Sequence, residues 1–233
     1  MEAFPPDHPL APGPAALELF YTDETGARCS PDDAVDTALD GGWQTAEPRV
    51  VALLNDPAAK PYDRYLALSA LAAWGSAVGY RAVVEAAAEP EAVVWRELSL
   101  DRLHSVDDTF ALLAEAVTGS YDMAEERDTL GPRHEALTAL LSRAAELYFG
   151  RALSEQGLLR ADIDELHGPL LAAINDGIAR VTRGEQAPFD LAIQTAGLIA
   201  ALAQVDQPSA DREARRLLAL RPDDPAVRRE LGM

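Results

Sequence analysis

Apolar residues recur every three or four positions along most of this 233-residue chain, which is the period of one face of an α-helix. The pattern is clearest from Glu47 onward. Val50, Val51, Leu53 and Leu54 predict a short helix that stops at Asp56-Pro57. Tyr65, Leu68, Leu71 and Trp74, with Ala67 and Ala70 beside them, predict a second helix that begins near Pro61 and ends at Gly75. "GYRAVVEAAAEP" and "EAVVWRELSLDRLHS" predict a second pair of helices. "SVDDTFALLAEAVTGS" predicts a helix capped by Ser105, with Asp107 and Asp108 in its first turn and Gly119 at its end.

Beyond Gly119, "YDMAEERDTLGP" reads as an acidic connection. "PRHEALTALLSRAAELYFGRAL" reads as one long amphipathic helix with Leu137, Leu140, Leu141, Ala144, Tyr148 and Phe149 on one side. "DIDELHGPLLAAINDGIARVTRG" follows, with Pro169 as a kink or restart. "PFDLAIQTAGLIAALAQV" is apolar nearly all round and is expected to be buried between neighbours. The chain closes with a helix, a Pro-Asp-Asp-Pro turn and a last short helix. Before Glu47 the signals are mixed. Leu17, Leu19 and Tyr21 alternate as in a strand, while Pro14 could equally start a short helix. Ser30, Pro31, Asp32 and Asp33 form a helix-start signature, and Gly41-Gly42 closes that helix.

The fold class that follows is all-α: stacked antiparallel helical hairpins, about ten helices, with little room for a sheet. Abundant alanine and few aromatics favour close helix–helix approach. Residues 1–29 read as a proline-rich lead-in and turn. Residues 30–233 read as one helical domain, repeat-like over 47–130 and bundle-like over 131–233.

A repeat is written in the spacing. Pro57 and Pro90 are 33 positions apart, and the pairs Arg64/Arg96, Leu68/Leu100 and Leu71/Leu103 are each 32 apart. Asp56-Pro57, then Arg64, Ala67, Leu71 and Gly75, resembles a HEAT repeat, although two extra residues lie between the turn and Arg64. The second round has Ser99 in place of the alanine and no closing glycine. "ARRLLALRPDDPAVRREL" near the C-terminus resembles the end of a TPR unit. These resemblances cover residues 47–105 and 207–233. They imply an α-solenoid or α-α superhelix, and the use of such a surface to grip another macromolecule. They imply no chemistry.

Composition narrows the class of partner. The formal net charge is −19, from 39 acids against 20 bases, and Lys60 is the one lysine. Arginine- and alanine-heavy usage suggests a bacterial, high-GC origin. Nucleic acid and anionic membrane surfaces are expected to be repelled, and a basic protein to be attracted. No run of about 18 apolar residues suggests a membrane span. "MEAFPPDHPLAPGP" opens acidic and proline-rich, unlike a secretory signal. The single Cys29 can form no internal disulfide, which fits the cytoplasm. The acidity is uneven: residues 1–50 hold ten acids and two bases, residues 101–150 ten and four, and residues 201–233 six of each. The candidate partner-binding residues are therefore Asp101, Asp107, Asp108, Glu115, Asp122, Glu125, Glu126 and Asp128. Arg64 and Arg96 join them if the repeat stacks them in a ladder along a groove; the competing reading is a ladder that satisfies carbonyls.

Chemistry is sparse. No glycine-rich phosphate loop, nucleophile elbow or Cys/His cluster occurs, and no cofactor is expected. Two Asp-x-x-His pairs, Asp101/His104 and Asp164/His167, would place carboxylate and imidazole on one helix face, as in carboxylate-bridged metal bundles, with Glu115 and Glu146 as further carboxylates. That pattern is the basis of an alternative reading as a metal-dependent oxidase or hydrolase. The simpler account is dipole-favourable placement at helix ends. "GPRHEA" brings Arg133, His134 and Glu135 together in sequence, but successive residues on a helix diverge by about 100°. Tyr62, Tyr65, Trp74, Tyr80 and Trp95 are core residues or surface anchors. The leading functional expectation is a non-enzymatic interaction module, an adaptor or an immunity- or antitoxin-like protein holding a basic partner. Self-association through Leu217, Leu218 and Leu220 of the C-terminal hairpin is a third reading.

Overall fold

A computed structural model describes residues 8–23, 25–101 and 105–233. The protein is all-α, with one two-stranded sheet among the described residues. It divides into two units. The first runs as far as Leu98 and takes back Ser120–Arg133; the second comprises Ser99–Gly119 and His134–Met233.

In the first unit the ambiguous stretch after Pro14 is a helix, α1 (Pro14–Phe20), with Phe20 buried. Helix α2 (Pro31–Thr37) starts as its residues require. The Ser30 hydroxyl accepts from the Asp33 amide, and the Asp33 carboxylate accepts from the Ser30 amide. Gly41-Gly42 does not end the helical path. A kinked turn over Ala38–Gly42, with Gly41 at φ 118°, leads directly into α3 (Trp43–Asn55). Asp56 closes the next turn by accepting from the Ala58 amide. Helix α4 (Pro61–Ala73) then packs against α3, and α5 (Ala77–Ala88) packs against α4. Tyr65, Leu68, Leu71, Trp74, Tyr80 and Trp95 are all in the core, so the aromatic surface anchors are not realised at these positions. Tyr62 is half-buried, and its hydroxyl lies 3.0 Å from that of Tyr21.

The second helix of the second predicted hairpin does not form. After α5 comes a single 3-10 turn, Pro90–Ala92, and then turns and the strand β1 (Leu100–Asp101). β-branched Val93 and Val94 are weak helix formers. Trp95 is drawn into the core against Tyr65, with ring centroids 5.6 Å apart, and Glu97 takes a left-handed φ of 61°. A second difference is that "YDMAEE" is helix α7 (Tyr121–Glu126) rather than a connection. Its backbone lies against Gly75, which has φ +69°; a Cβ there would stand 2.9 Å from the Met123 carbonyl carbon.

In the second unit β1 pairs antiparallel with β2 (Val106–Asp107), Leu100 opposite Asp107. Helix α6 (Thr109–Thr118) begins three residues later than a Ser105 cap would have started it, and Asp107 accepts from the Thr109 amide instead. Helix α8 (Leu130–Leu141) stops well short of the predicted end. The reason is tertiary. Gln194, buried on helix α11 (Leu191–Ala203), donates to the Ala144 and Leu147 carbonyls at 2.5 and 2.9 Å and accepts from the Phe149 amide at 2.8 Å. The chain there folds into tight turns that need these partners.

The predicted break near Pro169 lies three residues earlier: α9 (Arg160–Glu165) ends before Leu166, and α10 (His167–Arg183) begins after it. Helix α11 is buried on nearly all sides, as its composition requires. It packs against α10, α12 (Gln207–Leu220) and α13 (Pro225–Glu230), the last two joined by the Pro-Asp-Asp-Pro turn. Gly177 makes the α10–α11 approach possible, since a Cβ there would meet the Thr195 hydroxyl at 2.4 Å. No helix among the described residues is long and apolar enough to cross a membrane.

Candidate functional site

The eight candidate acids fall into the two units, four in each. Asp122, Glu125, Glu126 and Asp128 belong to the first, on α7 and the turn that ends it. All four are exposed, and none has an ion-pair or hydrogen-bond partner for its carboxylate among the described residues. The base in their midst faces inward. Arg127 Nη2 donates to both oxygens of Glu47 at 2.9 and 2.8 Å, and its Nη1 donates to the Trp74 carbonyl at 2.7 Å. Its guanidinium lies 4.1 Å from the centre of the Trp43 ring. Thr129 then donates from its hydroxyl to the Gly75 carbonyl at 2.8 Å. A short helix that would fray on its own is thus fixed at its C-terminal end, with its carboxylates outward.

Asp101, Asp107, Asp108 and Glu115 belong to the second unit. Asp107 is taken up structurally, accepting from the Thr109 amide and from its hydroxyl at 2.5 Å. Tyr148 points its hydroxyl at Asp101 Oδ2, 3.5 Å away. Burial, followed by the Asp101 charge, pushes the Tyr148 phenol up, and Asp108 adds to this. Glu115 is raised by burial and then by the neighbouring Asp108 carboxylate. On α6, Asp108, Leu112 and Glu115 lie at i−4, i and i+3 and so share one face.

The two Asp-x-x-His pairs do not stand as predicted. Asp101 is on a strand, and His104 lies outside the described residues. Asp164 and His167 are on different helices because of the break at Leu166. Asp164 is exposed, and His167 Nε2 instead meets Asp206 Oδ2 at 3.0 Å. Glu146 is engaged by Arg180 at 2.6 Å and Arg143 at 3.0 Å. Burial acts upward on its carboxyl, but these two guanidinium groups outweigh it and hold the group below the usual range. Among the described residues no group of three His, Cys, Asp or Glu side chains could hold a metal ion.

Of the arginine pair, Arg64 sits on α4 and donates from Nε to the Leu54 carbonyl at 3.2 Å, tying α4 to the end of α3. Arg96 is not on a helix and pairs with Glu91, so no common helical register carries the two. Arg133, His134 and Glu135 diverge. Arg133 is fully buried over the Tyr121 ring, Glu135 is exposed, and His134 Nε2 lies 3.3 Å from buried Asp162. Leu217 is fully buried in its own unit, which corrects its assignment to a surface for a second copy. Leu218 is half-buried, and Leu220 is 37% exposed.

Several structural residues were not anticipated. Buried Asp63 accepts from the Gly13 amide with both oxygens, at 3.0 and 3.1 Å, while Lys60 donates to the Ala11 carbonyl at 3.0 Å. Burial raises the Asp63 carboxyl, and the Gly13 bond and Lys60 oppose that rise. Glu213, also buried, is held by Arg212 at 2.9 Å and by Arg216. A carboxylate at an apolar position of an amphipathic helix was the available signal for Glu213. The partner of Asp63 lies fifty residues away, and no local pattern names it.

Comparison of the chain with protein-family models, with curated proteins and with solved structures gives no match.

Proposed function

We propose that the protein is a non-enzymatic interaction module, an adaptor or an immunity- or antitoxin-like protein, that holds a basic protein partner on exposed carboxylates. The observation that supports this is the disposition of residues 122–128: four carboxylates face solvent without partners among the described residues, and Arg127 is withdrawn into the first unit. A net charge of −19 would draw a cationic partner in from a distance and repel nucleic acid and anionic lipid. Helices that pack against their sequence neighbours are compatible with a HEAT- or TPR-like repeat, and we adopt that as the architectural reading. The lone Cys29 fits a reducing cytoplasm.

The test is a pull-down from host lysate with the tagged protein and with a variant carrying Asp122→Asn, Glu125→Gln, Glu126→Gln and Asp128→Asn. Each is washed at about 50 mM and then at about 500 mM salt, a range over which exposed charge pairs become heavily screened. A basic protein that is retained at low salt, released at high salt and lost from the variant is the expected result. Equal capture by the variant would end the assignment to this segment. An absence of any basic protein at low salt would end the reading.

A further inference from the structure

Helix α6 is apolar along most of its length. Phe110, Ala111, Leu113, Ala114 and Val117 are buried, yet Leu112 stays 40% exposed. One helical turn on either side of it stand Asp108 and Glu115. No basic side chain pairs with either carboxylate among the described residues, and Asp108 Oδ1 is shielded from solvent without a hydrogen-bond partner. Two like charges flanking an exposed leucine cost the folded unit stability and return nothing to its packing. A cation placed beside them would remove the repulsion, and an apolar side chain laid on Leu112 would remove that leucine from water. The half-buried Tyr148 and Phe189 rings, with centroids 5.8 Å apart, belong to the same unit.

We propose that the outward face of α6, made of Asp108, Leu112 and Glu115, docks an amphipathic basic segment of the partner, which lays an apolar side chain on Leu112 and an arginine or lysine on the carboxylates. The inference rests on the reading of the protein as a binder of basic partners, and it adds the kind of segment recognised. Charge alone would leave the leucine without a role. An apolar ligand alone would leave the two carboxylates desolvated against it. A segment that alternates leucines with arginines at helical spacing satisfies both.

The probe is a fluorescein-labelled helical peptide of about 16 residues, with leucines along one face and arginines flanking them, titrated against the full chain at about 50 mM salt by anisotropy; a companion peptide has every leucine replaced by serine. Leu112→Ser is expected to weaken the amphipathic peptide at least about tenfold and to leave the leucine-free peptide unchanged. Asp108→Asn with Glu115→Gln is expected to weaken both. Leu112→Ala serves as a second truncation, and circular dichroism confirms that each variant folds. If neither Leu112 variant alters binding, while the residue 122–128 variant does, the proposal falls and the broader reading stands. If neither peptide binds the wild-type chain, both fall.

Discussion

Arg127 and Glu47, eighty positions apart in the sequence, form a two-pronged ion pair at 2.8–2.9 Å that joins the end of α7 to α3. Both side chains are largely enclosed, at 16% and 18% exposure, and the arginine also covers the Trp43 ring and donates to the Trp74 carbonyl. Removing it leaves a carboxylate and a carbonyl short of their donor in a low-dielectric setting. Arg127→Met is therefore expected to destabilise the protein by about 2–3 kcal/mol. Arg127→Lys should restore only part of this, because an ammonium cannot cover both oxygens and the ring together. Urea denaturation midpoints check it; a loss below about 0.5 kcal/mol would class the pair with ordinary surface bridges.

Gln194 does for the second unit what Arg127 does for the first. Its amide makes three hydrogen bonds to the backbone of residues 144–149, all in the interior. Gln194→Leu keeps the volume and leaves two carbonyls and one amide without partners. Each such group costs about 1–3 kcal/mol, so a total loss above about 3 kcal/mol is expected. Thermal unfolding of the variant should show a clearly lowered midpoint. A midpoint within a degree or two of wild type would mean that the turn after α8 is satisfied in some other way.

These two residues also mark the limit of what periodicity reveals. Helices α3, α4, α5, α10, α11 and α12 were legible because each repeats its apolar positions over three or more turns and most carry caps or proline starts. The end of α8 was not. "SRAAELYF" keeps the helical period, and only the side chain of Gln194, reaching back some forty-five positions, takes the carbonyls out of the helix. The stretch Val93–Ser99 failed for a related reason, since burial of Trp95 against Tyr65 competes with helix continuation. Of the candidate acids, the sequence shows where they lie along the chain but not how the fold groups them. A run from Asp101 to Asp128 looked like one surface, but the chain deals it out to two units.

Gly75 illustrates a constraint that composition hides. Its φ of +69° is unfavourable for any residue with a Cβ, by about 1–2 kcal/mol. Gly184, at φ +66° after α10, carries the same conformational penalty, but a methyl group added there would have nothing within 4 Å. At Gly75 the methyl would also strike the Met123 carbonyl carbon at 2.9 Å. Gly184→Ala should cost about 1 kcal/mol, and Gly75→Ala at least about 1 kcal/mol more, with α7 displaced. If the two variants denature at the same concentration, the close approach of α7 has no energetic weight.

The acid limb of stability should carry the signature of Asp206. This residue caps α12 by accepting from the Ser209 amide at 3.1 Å and faces His167 Nε2 at 3.0 Å. The Ser209 bonds, followed by His167, lower its carboxyl from 3.8 to about 2. Because the folded value lies below the unfolded one, the ionised carboxylate favours the folded state, and its contribution is fully present above about pH 4. That contribution drains away as pH falls from about 4 toward about 2, where the folded carboxyl finally takes up its proton. Asp206→Asn retains a capping oxygen and loses the charge, so its denaturation midpoint should be lower than wild type at pH 6, with the difference closing below about pH 3. His167→Gln tests the second partner separately: it removes the ring nitrogen that faces Asp206 at 3.0 Å while keeping the Ser209 bond, so it should remove part of the difference at pH 6. A constant gap between Asp206→Asn and wild type from pH 6 down to pH 2.5 would show that the carboxylate acts only as a neutral hydrogen-bond acceptor at this helix start.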